Sequence, residues 1–324
     1  MSANLKRGCG ILLGAAFIIL SILALLPEAD VDHDAGYISS ELNIQETVDG
    51  SVTGTSYVNS DGVITEAIDM DYATVCRMWD ENGRIIGERY LDANGDPVAR
   101  YDDYYGVSYE YDETSTVITY LDAEGNPIIR SDGYSTIIRT QIDSMASEDF
   151  YYDLDGQQVQ CSGGYYGLQH WYNSDGQNTG MTFLDKDGHA VCSSSGYAGV
   201  TYQCNMDGTF VGQQYFDTEG NPVRSMFGQY GELYQRNEQG YISQITYLDA
   251  DGNPASTNAG YTILKRTYHR DGTADTDMYF DAEGNQKALS KGQYGIKRSG
   301  KVNLLLDRNG NVMPVSYTHL RAHE

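Results

Sequence analysis

Short apolar runs separated by glycine-bearing turns recur along most of the chain. Each run ends in an aromatic residue or leucine and a second hydrophobic residue, followed by Asp-x-x-Gly, as in Tyr90-Leu91-Asp92 with Gly95. The aspartates of the motif are Asp92, Asp122, Asp153, Asp185, Asp217, Asp249, Asp281 and Asp307. Most of their steps are 30 to 32 residues. A constant step of this size is typical of tandem repeats, in which each unit buries its apolar face against its neighbours.

The residues of the motif predict a specific turn. Asp at the first position of a type I turn accepts a hydrogen bond from the backbone two residues on, and Gly at the fourth position adopts a positive φ. A second glycine precedes the motif, as Gly83 precedes Gly95, and β-formers such as Ile85 and Tyr90 lie between the turns. We predict an all-β fold: an elongated tandem β-hairpin array of about eight units of about 32 residues, each strand–turn–strand–turn–strand.

An uncharged segment near the N-terminus predicts a membrane anchor. Gly8 to Leu26 contains no charged residue and would span about 28 Å as a helix. Lys6 and Arg7 precede it and acidic residues follow, which places the N-terminus in the cytoplasm. A cleaved signal peptide is the alternative. The predicted organisation is a cytoplasmic tail at 1–7, a signal-anchor at 8–27, an acidic spacer at 28–50 and an extracellular array at 51–313, on a single-pass cell-membrane protein.

The last residues resemble a sequencing artefact. Val315 to Glu324 match the in-frame translation of a transposase mosaic-end adapter used in sequencing libraries. We therefore expect residues 314–324 to be a non-native tail and the natural gene to continue beyond residue 313. His319 and His323 have the i, i+4 spacing of two zinc ligands on a helix, but within such a tail they predict no metal site.

Composition excludes several classes of partner. The chain has 324 residues, with 46 Asp and Glu against 21 Lys and Arg, for a net charge of −25. Nucleic acid is excluded, because phosphate binding needs a basic surface. We expect membrane contact through the N-terminal helix only, and a monomer, because the distributed charge is self-repelling. The 28 tyrosines argue against disorder.

No arrangement of residues predicts catalysis. We find no nucleophile elbow, no phosphate loop and no Cys–His spacing involving Cys76, Cys161, Cys192 or Cys204. A glycosidase is the enzymatic alternative, because a catalytic pair of carboxylates could not be recognised among so many acidic residues. We expect no enzyme, cofactor or metal. Two copies of the motif resemble calcium-binding loops, namely Asp185-Lys186-Asp187-Gly188 and Asp249-Ala250-Asp251-Gly252. Calcium binding is therefore the alternative interpretation, but a turn explains every copy of the motif.

The aromatic residues divide into a predicted core and a predicted binding set. The core set ends the apolar runs and comprises Tyr90, Tyr120, Tyr215, Tyr247 and Tyr279. The binding set lies at turns, where we expect exposure, and comprises Trp79, Trp171, Tyr134, Tyr165, Tyr197, Tyr230, Tyr261 and Tyr294.

The motif in the form Tyr215-Phe216-Asp217 with Gly220 resembles two families of bacterial surface repeat. One is the glucan- and choline-binding cell-wall repeats, which implies polysaccharide or choline binding in aromatic pockets. The other is the YD repeats of Rhs-type proteins, which implies a β shell or stalk. We expect a membrane-anchored extracellular repeat protein that binds cell-surface or environmental glycan. The alternative is a passive structural stalk that presents a missing C-terminal domain, and an enzyme is one candidate for that domain.

Overall fold

The computed structural model describes residues 43–65, 71–101, 103–205, 208–269, 273–299 and 302–314. These residues form eighteen antiparallel strands of one sheet, which confirms the all-β class and the tandem hairpins. Within these ranges, no helix has the length and apolar character needed to cross a bilayer. The predicted anchor at 8–27 and the tail residues 315–324 lie outside the described residues.

The hydrogen-bonded pairings join strands that are consecutive in the chain, as β3 pairs with β4 and β9 with β10. The strands are β1 (Asn43–Asp49), β2 (Val52–Val58), β3 (Thr74–Trp79), β4 (Ile85–Leu91), β5 (Gly106–Tyr111), β6 (Ser115–Leu121), β7 (Thr136–Asp143), β8 (Ala146–Tyr152), β9 (Gly167–Tyr172), β10 (Asn178–Leu184), β11 (Gly199–Cys204), β12 (Phe210–Phe216), β13 (Gly231–Arg236), β14 (Ile242–Leu248), β15 (Ile263–Tyr268), β16 (Ala274–Phe280), β17 (Gly295–Ser299) and β18 (Val302–Leu306).

The chain divides into two compact units. The first contains the described residues up to Ile138 together with Tyr151–Gly164. The second contains Arg139–Phe150 and the described residues from Tyr165 onward. Each unit consists of several repeats and has its own aromatic core.

The Asp-x-x-Gly turn forms as its residues predict. Asp92 Oδ1 accepts hydrogen bonds from the backbone N–H groups of Asn94 (2.8 Å) and Asp96 (2.9 Å). The N–H of Gly95 donates to the carbonyl of Asp92, and Gly95 has φ 87°. These backbone hydrogen bonds, above all that from Asp96, hold the pKa of Asp92 below its ordinary value. The turn is therefore closed by the aspartate side chain and by a backbone conformation that favours glycine.

A ladder of tyrosine rings forms the core of the first unit. Strand tyrosines such as Tyr90 and Tyr120 alternate with tyrosines from the turn segments such as Tyr104, and successive ring centroids are 4.4 to 6.0 Å apart. The order of the rings is Tyr57, Tyr72, Tyr90, Tyr104, Tyr120, Tyr134 and Tyr151. Contacting rings at such distances stabilise the core beyond their buried area.

The second unit contains the same kind of ladder in two stretches. Tyr165, Phe183, Tyr197 and Tyr215 follow one another at 4.5 to 5.6 Å, and Tyr247, Tyr261 and Tyr279 at 4.6 to 5.5 Å. All five members of the predicted core set, Tyr90, Tyr120, Tyr215, Tyr247 and Tyr279, are buried. The core prediction is confirmed.

The third strand predicted for each unit is shortened to a single bridge, such as Leu121 with Pro127. The same single bridge forms in copies without proline, such as Leu184 with Ala190. The chain instead makes one bond from the Ile128 N–H to the Tyr120 carbonyl (3.0 Å) and then enters the next turn. A second difference lies at the start of the array, where β1 at Asn43–Asp49 pairs with β2, although the sequence assigns these residues to the acidic spacer.

Candidate functional site

The tyrosines that follow turn glycines do not have the exposure expected of them. Tyr134, Tyr165 and Tyr197 are buried, so the expected exposure is wrong for these three. The other members of the turn set, Tyr230, Tyr261 and Tyr294, are half-buried. The rings of Tyr134, Tyr197 and Tyr261 each lie between two strand aromatics. The ring centroid of Tyr134 is 6.0 Å from that of Tyr120 and 4.4 Å from that of Tyr151.

The two tryptophans have different environments. Trp79, at the end of β3, is half-buried, and its indole Nε1–H donates to Thr53 Oγ1 at 2.8 Å. Trp171, near the end of β9, is 42% exposed, and its Nε1–H donates to Thr182 Oγ1 at 3.2 Å. Trp171 is therefore the member of the predicted binding set whose ring is most open to solvent.

Strand register explains why the Trp171 ring is uncovered. Trp171 pairs with Ala146 of β8 on one side and with Gly180 of β10 on the other. Neither residue has a side chain long enough to cover an indole. At Gly180 a Cβ atom would collide with the carbonyl oxygen of Val200, so the close approach of β11 requires glycine there.

Polar side chains lie beside the exposed indole. Gln169, two residues earlier on β9, shares its face and pairs in register with Glu148 and Thr182. Gln169 Nε2 donates to Glu148 Oε1 at 3.1 Å. No cation of the described chain lies within ion-pair distance of Glu148. We call Ala146, Glu148, Gln169, Trp171, Gly180 and Thr182 the Trp171 surface.

The opposite face of the same strands fixes the orientation of β9. His170, the neighbour of Trp171, is 1% exposed, and its Nε2 lies 3.3 Å from Asp149 Oδ2. Arg139 donates two hydrogen bonds of 2.6 Å to the carboxylate of Asp149. Burial alone would raise the pKa of Asp149, but the Arg139 guanidinium and its hydrogen bonds hold it well below its usual range. Because adjacent strand residues face opposite sides, burying His170 directs Trp171 outward.

One group of side chains has metal-ligand character. Potential ligand atoms of Asp185, Asp187 and His189 lie within 4.8 Å of one another. Asp185 Oδ1 already accepts the backbone N–H groups of Asp187 (2.9 Å) and His189 (2.8 Å), as in the other turns. The group is therefore a further Asp-x-x-Gly turn with a histidine added, and calcium binding is the alternative that the salt experiment in the Discussion tests.

The thiols of Cys76 and Cys204 do not have the environment of catalytic nucleophiles. Burial raises the pKa of the Cys76 and Cys204 thiols, which lowers the thiolate fraction at neutral pH. Cys192 is exposed and Cys161 is buried.

No family model matches the chain, and no curated protein matches it. Among solved structures, a porin-like protein from Bacteroides uniformis ATCC 8492 is similar at 10% identity, over 80% of this chain and 90% of that chain, with a TM-score of 0.27. TcdB2-TccC3-TEV is similar at 10% identity, over 84% of this chain and 19% of that chain, with a TM-score of 0.24. At these scores neither likeness carries an argument about function.

Proposed function

We propose that this chain is a membrane-anchored extracellular repeat protein that binds glycan at the Trp171 surface. The observation that carries the proposal is the exposed indole of Trp171, which lies between Ala146 and Gly180 and beside hydrogen-bonding side chains. Glycan is the ligand class that suits this combination best.

The chemistry of a sugar ring explains the choice. A pyranose has a flat face of C–H groups and a rim of hydroxyl groups. The indole supplies a flat apolar surface, and Gln169, Glu148 and Thr182 supply amide, carboxylate and hydroxyl groups near its edge. Large aromatic surfaces with a few placed polar groups are the usual composition of small-ligand sites.

The proposed location rests on the sequence. The uncharged segment from Gly8 to Leu26 and the preceding Lys6 and Arg7 favour a single-pass anchor with the repeats outside the cell. The likeness of Tyr215-Phe216-Asp217 with Gly220 to glucan-binding and YD repeats supports the same cell-surface setting.

A structural stalk is the second candidate, and the core favours it. Tyr134, Tyr165 and Tyr197 pack inside the ring ladders, so these turn tyrosines serve folding in each repeat. A stalk needs such a repeated core and no ligand.

Glycan-array screening of the full chain separates the two candidates. Trp171→Ala is expected to abolish retention of every glycan that the native chain retains, because it removes the stacking surface. Phe227→Ala is the matched control, because Phe227 is 41% exposed and lies outside the Trp171 surface. A native chain that retains no glycan would favour the stalk, whereas equal retention by the native and Trp171→Ala chains would place glycan binding outside the Trp171 surface.

A further inference from the structure

The carboxylate of Glu148 is the unbalanced charge of the Trp171 surface. Glu148 is half-buried, and the hydrogen bond that the structure gives its side chain comes from the neutral amide of Gln169 at 3.1 Å. The next residue, Asp149, faces the other side and is neutralised there by Arg139. The two adjacent acidic residues of β8 therefore differ. Asp149 is paired with a cation of the fold, whereas Glu148 has no such cation among the described residues.

Glu148 lies close enough to the Trp171 indole for one sugar ring to contact both side chains. It pairs with Gln169, and Trp171 follows two residues later on the same face, so Glu148 and Trp171 are diagonal neighbours. Diagonal neighbours on paired strands have Cα atoms about 7–8 Å apart. A sugar ring lying over the indole would therefore bring a ring substituent to the carboxylate.

The two groups favour a cation together. An ammonium group is attracted to the face of an indole and to a carboxylate, and both contacts strengthen where water is partly excluded. The net charge of −25 raises the local concentration of cations and lowers that of anions around the whole chain. A neutral sugar would use the indole but give the Glu148 carboxylate no counter-charge.

We propose that the Trp171 surface takes a protonated amino sugar, as carried by a de-N-acetylated aminoglycan, with the pyranose on Trp171 and the ammonium at Glu148. The inference rests on the proposed function and names its ligand class. Uronic acid, sulfated and phosphate-bearing glycans are disfavoured by the same carboxylate.

The test uses the full chain carrying Trp79→Phe, in which Trp171 is the only indole, because the sequence has two tryptophans. Intrinsic fluorescence then reports occupancy of the surface. The probes are short oligomers of glucosamine, of N-acetylglucosamine and of glucose, and polygalacturonate, at mildly acidic pH. We expect the glucosamine oligomer to bind about tenfold tighter than the N-acetylglucosamine oligomer, the gain of one charge-assisted contact, and added salt to reduce this preference.

Glu148→Gln keeps the shape of the side chain and removes its charge, so it should lower the affinity for the glucosamine oligomer to that for the neutral oligomers. Glu110→Gln is the control, because Glu110 is exposed at the position of β5 that corresponds to Trp171 in β9 and has no indole beside it. An equal effect of both substitutions would assign the preference to net charge and overturn the site. Equal binding of charged and neutral oligomers would overturn the amino-sugar class alone, whereas binding of none of them would remove the proposed function.

Discussion

The guanidinium of Arg130 lies over the ring of Tyr120, with the guanidinium carbon 4.5 Å from the ring centroid. Its Nε–H donates to Asp103 Oδ2 at 2.7 Å, and its Nη1–H donates to the hydroxyl of Tyr134 at 2.8 Å. Arg130 and Asp103 are both buried in the first unit. A charged pair is therefore built into the tyrosine ladder, and the rings assist in holding the cation.

Asp103→Asn should destabilise the chain strongly. The substitution leaves the buried guanidinium of Arg130 without its main counter-charge, and breaking a buried pair in this way costs about 3–5 kcal/mol. Urea unfolding followed by tyrosine fluorescence measures the change. Arg84→Met is the control, because the Arg84–Asp80 pair lies at the surface, where water and salt screen the attraction, so its loss should change stability little. Equal losses from the two substitutions would contradict the role of burial.

Tyr134 should behave as a core residue. Tyr134→Ala removes a ring packed against Tyr120 and Tyr151 and should cost about 3–5 kcal/mol. Tyr134→Phe keeps the ring and loses the hydrogen bond from Arg130, which should lower the free energy of unfolding by about 1 kcal/mol. Thermal and urea unfolding measure both. A Tyr134→Ala chain of native stability would return Tyr134 to the exposed set that the sequence predicts.

These residues mark the limit of the sequence prediction. Asp-x-x-Gly is local chemistry, since Asp92 closes its own turn, so turns and hairpins follow from the residues. The burial of Tyr134 depends on Tyr151 in a different strand, and a glycine next to it carries no such information. The exposure of Trp171 depends on its pairing with Ala146 and Gly180, which requires the register and a bulge in β10.

The free energy of unfolding should fall at low pH as Asp149 becomes protonated. Its folded pKa is depressed below the unfolded value, so the folded state binds fewer protons and the stabilisation is present above the unfolded pKa. It is lost as the pH falls from about 4 towards the lower folded pKa. The native chain should therefore lose more stability across this window than Asp149→Asn, which starts less stable at neutral pH. Urea midpoints over a pH series measure the difference, and parallel curves would contradict it.

Monovalent salt should raise the melting temperature. The 46 acidic side chains repel one another, and the Debye length falls from about 10 Å at 0.1 M to about 3 Å at 1 M. If the Asp-x-x-Gly motif only forms a turn, calcium should raise the melting temperature no more than magnesium does at matched ionic strength. A saturable gain with calcium that magnesium does not give would instead make Asp185, Asp187, Asp249 and Asp251 ligands.

The hydrogen bond from Trp171 to Thr182 should hold the indole in place for binding. Thr182→Val keeps the shape and β-branching of the side chain but removes the acceptor that lies 3.2 Å from the indole nitrogen. One such bond contributes about 0.5–1.5 kcal/mol, so glycan affinity should fall by about two- to tenfold. Because the indole is 42% exposed, overall stability should change little. Thr182→Ser retains the hydroxyl and should bind as the native chain does. Fluorescence titration of both variants in the Trp79→Phe chain measures the affinities, and equal affinity of Thr182→Val and Thr182→Ser would show that the ring needs no such support.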